Sequence, residues 1–120
     1  MYRQLAAQEL AQLLGLVSHP ERIRIIEELV DGELDVTTIF SRLNVSQPSA
    51  SRHLNLLKSQ NLVTERREGR KVYYKLTVRE LAVWLVAGLD IIQKKSSKSK
   101  SNTRALTAAK EFWSKAQTGK

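Results

Sequence analysis

Apolar residues recur at helical spacing along the first third of the chain. Leu5, Leu10, Leu13, Leu14 and Val17 mark a helix over Arg3 to Val17, and Ala6 and Leu16 widen its apolar side until one neighbour cannot cover it. Ser18-His19-Pro20-Glu21 is an S-x-x-E capping box with proline in the first turn. It predicts a second helix with Ile23, Ile26, Leu29 and Val30 inward and Gly32 as its stop. Val36, Ile39, Phe40 and Leu43, spaced i, i+3, i+4, i+7, predict a short third helix capped by Asp35. Asn44-Val45-Ser46 then fits a three-residue turn, with Asn44 in the left-handed backbone that asparagine tolerates. Ser46 caps a fourth helix, and Pro48 sits where a missing N–H costs little. Ala50, Leu54 and Leu57 share one face of it, and Pro48, Ser51, Arg52, Asn55 and Ser59 share the other. Asn61 stops it.

After Leu62 the pattern turns to β. Val63 to Arg66 and Lys71 to Lys75 are strand-prone, Glu68-Gly69 supplies the hairpin turn, and Arg66, Arg67, Arg70 and Lys71 crowd the tip. Thr77-Val78-Arg79-Glu80 is a second capping box, opening Leu81 to Ile92, which is apolar nearly all round. Twelve residues with Asp90 among them cannot span a bilayer, which takes about 20. Protein must cover this helix, and a 120-residue monomer cannot easily wrap it, so a second copy is expected. The expected dimer interface is Leu5, Leu10, Leu13, Leu81, Trp84, Leu85, Gly88, Leu89 and Ile92, with Gly88 permitting close helix approach. Lys94 to Asn102 is basic and low in complexity, so residues 93–102 read as a flexible linker. Thr103 caps a last amphipathic helix with Leu106, Ala109, Phe112, Trp113 and Ala116 on one face, within a segment 103–120 of undecided role. Residues 1–92 thus read as one domain, mainly α with a small β-hairpin in the order α-α-α-α-β-β-α: a winged helix-turn-helix, dimeric.

Charge sharpens this picture. The net charge of +8 divides as −4 over residues 1–40, +6 over 41–80, −1 over 81–92 and +7 over 93–120. A polyanionic partner fits the middle and the tail, and the acidic first forty residues are a poor DNA face. The outer face of the fourth helix is small, polar and free of carboxylates. Arginine can pair there with guanine and asparagine with adenine on a major-groove floor. The candidate DNA contacts are Gln47, Ser49, Ser51, Arg52, His53, Asn55 and Lys58 on the helix, and Arg66, Arg67, Arg70 and Lys71 on the wing. For His53 two readings stay open, a phosphate contact and a packed flank residue.

HPERIRIIEELVDGELDV, SQPSASRHLNLLKSQNLV and REGRKVYYKL together resemble the small winged-helix repressors of the arsenical-resistance and metal-sensing type, ArsR/SmtB. The resemblance covers roughly residues 8 to 92. It implies a homodimer that binds double-stranded operator DNA and releases it on a signal. Phe40 stands where a small alanine is usual, and asparagine replaces two customary glycines at 44 and 61. Metal-sensing members of the family carry a Cys-x-Cys-type motif where this chain has Glu33 to Thr38, and others use Asp and His on the terminal helix, which here has only Asp90.

The chain has no cysteine, which excludes disulfides, thiolate metal sites and thiol switches. His19 and His53 stand 34 positions apart, and His19 reads as a capping-turn residue, so no metal or cofactor is expected. A phosphate-binding glycine loop, paired carboxylates on one face and a supported Ser/His/Asp set are all missing, and no enzyme is expected. The N-terminus lacks an export signal, which points to the cytoplasm and away from a membrane. The expected function is a sequence-specific repressor on a palindromic operator, with a small-molecule or protein effector, if any, left open. The alternatives are a winged-helix protein-interaction module and a nonspecific nucleic-acid binder using the basic tail.

Overall fold

The computed structural model describes residues 1–95 and 100–118, with side chains described for 1–95 and 104–114. Its elements run α1 (Tyr2–Val17), α2 (Pro20–Glu28), β1 (Leu34–Asp35), α3 (Val36–Leu43), α4 (Gln47–Ser59), β2 (Val63–Glu68), β3 (Lys71–Leu76), α5 (Leu81–Lys95) and α6 (Lys100–Thr118). The core gathers the inward positions of the middle elements. Ile25 and Ile26 of α2, Ile39 of α3, Leu54 and Leu57 of α4, and Val63, Tyr74 and Leu76 of the hairpin are all buried together. Leu13, Leu16 and Val17 at the end of α1 pack against this cluster only in part, and α1 buries no residue fully.

Local chemistry explains the joints. The Ser46 hydroxyl accepts the Ser49 N–H at 3.3 Å and starts α4, with Pro48 in its first turn. Asn44 ends α3 in left-handed backbone, φ 57° and ψ 45°, and Asn61 turns the chain after α4 with φ 62°. Asparagine therefore carries the two strained turns itself. The Asp35 carboxylate takes the Thr38 hydroxyl at 2.5 Å across the first turn of α3.

Several expected boundaries are corrected. His19, not Ser18, caps α2: its Nδ1 accepts the Glu21 N–H at 3.1 Å, while the Ser18 hydroxyl turns back to Gly15 O. The Glu21 side chain is then free for another partner. The second helix closes at Glu28, and Gly32 (φ 141°) instead redirects the chain into a strand. That strand, β1, was not expected. It pairs antiparallel with β3 (Leu34 with Tyr74, Asp35 with Tyr73), so the sheet has three strands in the order β1-β3-β2. The hairpin turn is Gly69-Arg70 between the pair Glu68 and Lys71, with positive φ at the first central residue, where a two-residue II′ turn needs glycine. Thr77 donates its N–H to Leu62 O and closes the hairpin base at 2.9 Å.

The C-terminal helices also differ from expectation. The last helix begins at Lys100 rather than Thr103, and α5 continues to Lys95; residues 96–99 of the expected linker lie outside the described residues. The last helix docks along α5, joined by Gln93 to Thr107 (2.8 Å) and Lys110 to Asp90 (2.6 Å). Trp113 is buried and Phe112 is exposed, while the Ala116 side chain lies outside the described residues.

Candidate nucleic-acid interface

α4 stands on the body with its apolar stripe down. Ala50, Leu54 and Leu57 are fully buried, which leaves the opposite stripe outward. Gln47, Pro48, Arg52, Asn55 and Ser59 are exposed there, and Ser51 is half-buried. No acid occurs within α4. Among the described residues Arg52, Arg70 and Lys71 make no ion pair, so their cations are available to an anionic partner.

Four of the candidate DNA contacts are engaged by acids of the protein itself, Ser49 and His53 half-buried and Lys58 and Arg66 at the surface. Ser49 donates its hydroxyl to Glu21 Oε1 at 3.0 Å, and His53 Nε2 meets the same oxygen at 2.8 Å. Lys58 lies 3.0 Å from Glu65 Oε1 on β2. Arg66 bonds Glu33 twice (2.7 and 3.0 Å) and Glu68 once (2.7 Å), with its guanidinium 4.5 Å over the Tyr73 ring. These contacts raise the Arg66 pKa further above its ordinary value, Glu33 and then Glu68 being the largest causes.

The acids on the other side of these bonds were not foreseen as part of the site. Glu65 accepts from Lys58 and, at 3.0 Å, from the Tyr74 hydroxyl, with Arg67 3.9 Å away. Lys58 first, then Tyr74, hold its carboxyl below the ordinary value. Glu65 thereby bolts the end of α4 to the wing. Glu33 likewise anchors Arg66 through both of its carboxylate oxygens. Helical and strand periods are set by apolar positions only, so ion pairs 33 residues apart leave no sequence signal.

His19 and His53, far apart in sequence, have ring centroids 4.4 Å apart. With Glu21 they bring one ligand-type atom each to within 4.8 Å of one another. The donor chemistry argues against a metal ion. The Arg22 Nε–H donates to His53 Nδ1 at 3.2 Å and the Glu21 N–H donates to His19 Nδ1, so both neutral rings carry their proton on Nε2. Ligation through Nε2 would force a tautomer change at each ring, beside the Arg22 cation and the positive end of α2.

The expected dimer surface divides in two. Leu81 and Leu89 are buried within the protomer, Leu81 in the central cluster, so neither is a free interface residue. Leu13 and Leu85 are half-buried against the same cluster. A Cβ at Gly88 would meet nothing within 4 Å, so the close approach expected there is not made within the protomer. What stays exposed is Tyr2, Leu5, Leu10 and Leu14 on α1, with Val83, Trp84, Ile91 and Ile92 on α5. Among the described residues no helix is long and apolar enough to cross a membrane.

Comparison with known proteins places these features in a family. Residues 19–65, which span α2 to the first residues of β2, match the bacterial regulatory proteins of the arsR family. The biofilm growth-associated repressor of Xylella fastidiosa is 34% identical over 76 residues, 63% of this chain and 67% of that one. The arsenical resistance operon repressor of Staphylococcus xylosus is 35% identical over 85 residues, 71% of this chain and 81% of that one. In three dimensions the chain resembles a homodimeric winged helix-turn-helix DNA-binding domain from Mycobacterium bovis, with TM-score 0.66 and 26% identity over 77% of this chain and 89% of that one. The fold is a winged helix-turn-helix, and the chain belongs to the ArsR family of bacterial regulatory proteins.

Proposed function

We propose that this protein is a transcriptional repressor that binds a palindromic DNA operator as a homodimer. The carrying observation is the outward stripe of α4, with Arg52 and Asn55 exposed and no acid anywhere in the helix. The N-terminal turns of α4 enter the major groove, where the helix end favours phosphate and the side chains reach base edges. Arg67, Arg70 and Lys71 hold the DNA backbone from the wing. Arg66, engaged with Glu33 and Glu68, shapes the wing instead.

Dimerisation follows from what one protomer cannot cover. α1 is 16 residues long and buries none of them fully, whereas most helical stability in proteins comes from packing an apolar face. Its Leu5 (59% exposed) and Leu10 (48%), with Trp84 (41%) and Ile92 (46%) of α5, form the surface assigned to the second copy. Two α4 helices related by the twofold then read two half-sites about one helical turn, or a multiple of it, apart.

Footprinting on the DNA flanking the protein's own reading frame tests this. Protection of a discrete palindrome is the expected result. Smooth coverage would instead support nonspecific binding by the basic C-terminal segment, and absence of salt-sensitive binding would support an interaction module.

A further inference from the structure

Ser49 and His53 lie one turn apart on α4, and both bond one carboxylate oxygen, Glu21 Oε1, at 3.0 and 2.8 Å. His53 is gripped again from the other ring nitrogen, where the Arg22 Nε–H donates to Nδ1 at 3.2 Å. The same guanidinium donates from its terminal nitrogen to the Leu16 carbonyl at the end of α1. We infer that Glu21 and Arg22 are positioning residues for DNA reading, setting the rotation and axial placement of α4 and tying it to the end of α1. The inference rests on the reading of α4 as the DNA-reading helix.

The geometry supports a setting role over a merely adhesive one. Leu54 and Leu57 are held by apolar contact, which is non-directional and tolerates small rotations of the helix about its axis. Hydrogen bonds are directional and weaken steeply off-line. Two donors one helical turn apart on one acceptor therefore fix both rotation and sliding. Proton placement is consistent throughout. Arginine is always a donor, so His53 Nδ1 is unprotonated, its proton lies on Nε2, and Nε2 donates to Glu21. Glu21 stays ionised at neutral pH, because the Ser49 hydroxyl first, and His53 after it, lower its carboxyl pKa. All four side chains are half-buried, where water competes less for these bonds than at an open surface. Arg22 supplies a polar connection between the end of α1 and α4, beside the apolar contact of Leu13, Leu16 and Val17 with the central cluster.

Consequently the Ser49 hydroxyl and the His53 ring act on DNA through Glu21 and Arg22, not by touching bases or phosphates. The test measures operator and scrambled-duplex affinity for Glu21→Ala, Ser49→Ala and the double variant, with imidazole NMR on wild-type and Arg22→Lys protein without DNA. Glu21→Ala should lower operator affinity about tenfold and leave the scrambled duplex within about twofold, while Glu21→Gln, whose amide oxygen still accepts, recovers most of the loss. The double variant should be no worse than Glu21→Ala alone. The imidazole spectrum should show His53 with its proton on Nε2 in the wild type, and a mixture of tautomers in Arg22→Lys. Additive losses in the double variant would mean that Ser49 contacts DNA independently, and would overturn the inference. So would a His53 proton on Nδ1 in the wild type. Failure of the wild type to prefer any operator would strike the function proposed above, while the tautomer result would still stand.

Discussion

Glu65 shows how much one side chain settles at this interface. It joins Lys58 of the reading helix, the Tyr74 hydroxyl and, more distantly, Arg67 of the wing. Its carboxyl is held below the ordinary value, as are those of Glu33 by Arg66 and Asp35 by Thr38. A carboxyl with a lowered folded pKa contributes stability that is present above its unfolded value of about 4 and lost as pH falls through the folded value. Tyr74 runs the other way. Burial, and then the Glu65 bond, push its hydroxyl up to about 12, so its contribution is present below about 10, the unfolded value, and fades toward pH 12. Urea midpoints should therefore fall below about pH 4 and again above about pH 10. Glu65→Gln should lessen both limbs without abolishing either, because Glu33, Asp35 and the burial of Tyr74 remain, and an unchanged profile in that variant would contradict the linkage. The backbone offers a second residue-scale test. Asn44 and Asn61 hold φ of 57° and 62°, so Asn44→Ala should cost about 1–2 kcal/mol in urea unfolding, while Asn44→Gly should be nearly neutral. Both turns were legible in the sequence, since asparagine after a periodic run is a local signal. The His19 cap was not, because a Ser-x-x-Glu pattern offers two acceptors and tertiary partners for Glu21 decided between them.

At the scale of elements, the long periodic segments were readable and the short or partnered ones were not. α3 and α4 follow the expected inward positions, with Ile39, Leu54 and Leu57 fully buried. β1 has two residues, too few for any period, and exists only because the edge of β3 receives it. The docking of the last helix on α5 was equally invisible, since an amphipathic face does not name its partner. That docking changes how the dimer should be tested. Leu89→Glu would place a charge inside the protomer and confuse unfolding with dissociation, because Leu89 is already buried. Leu5→Glu and Trp84→Glu alter exposed positions and should leave a folded monomer. Sedimentation at micromolar concentration should show a wild-type dimer and a smaller, still helical species for each variant. A stable wild-type monomer would sink the dimer. Within the reading unit, Leu57→Ala should cost about 2–5 kcal/mol, since its side chain is fully buried in the central cluster with residues of α2, α3 and the hairpin.

Across the whole molecule the charge distribution and the fold agree. The acidic first forty residues supply Glu21 and Glu33, which hold α4 and the wing from behind, while the +6 segment presents the exposed cations. Composition alone pointed to a polyanion. Only the folded arrangement separates cations that are free from cations already paired. Arg52 and Asn55 on α4 then divide the work with Arg70 at the hairpin turn. The most direct measurement is binding of wild type, Arg52→Ala, Asn55→Ala and Arg70→Ala to operator and scrambled duplexes at several salt concentrations. Arg52→Ala and Asn55→Ala should cost about 1–3 kcal/mol per subunit on the operator and much less on scrambled DNA. Arg70→Ala should weaken both duplexes nearly equally and reduce the salt slope by about 1 for each phosphate left without its cation, an effect that occurs twice in the dimer. An Arg52→Ala loss as blind to sequence as that of Arg70→Ala would contradict the assignment of α4 as the helix that reads DNA.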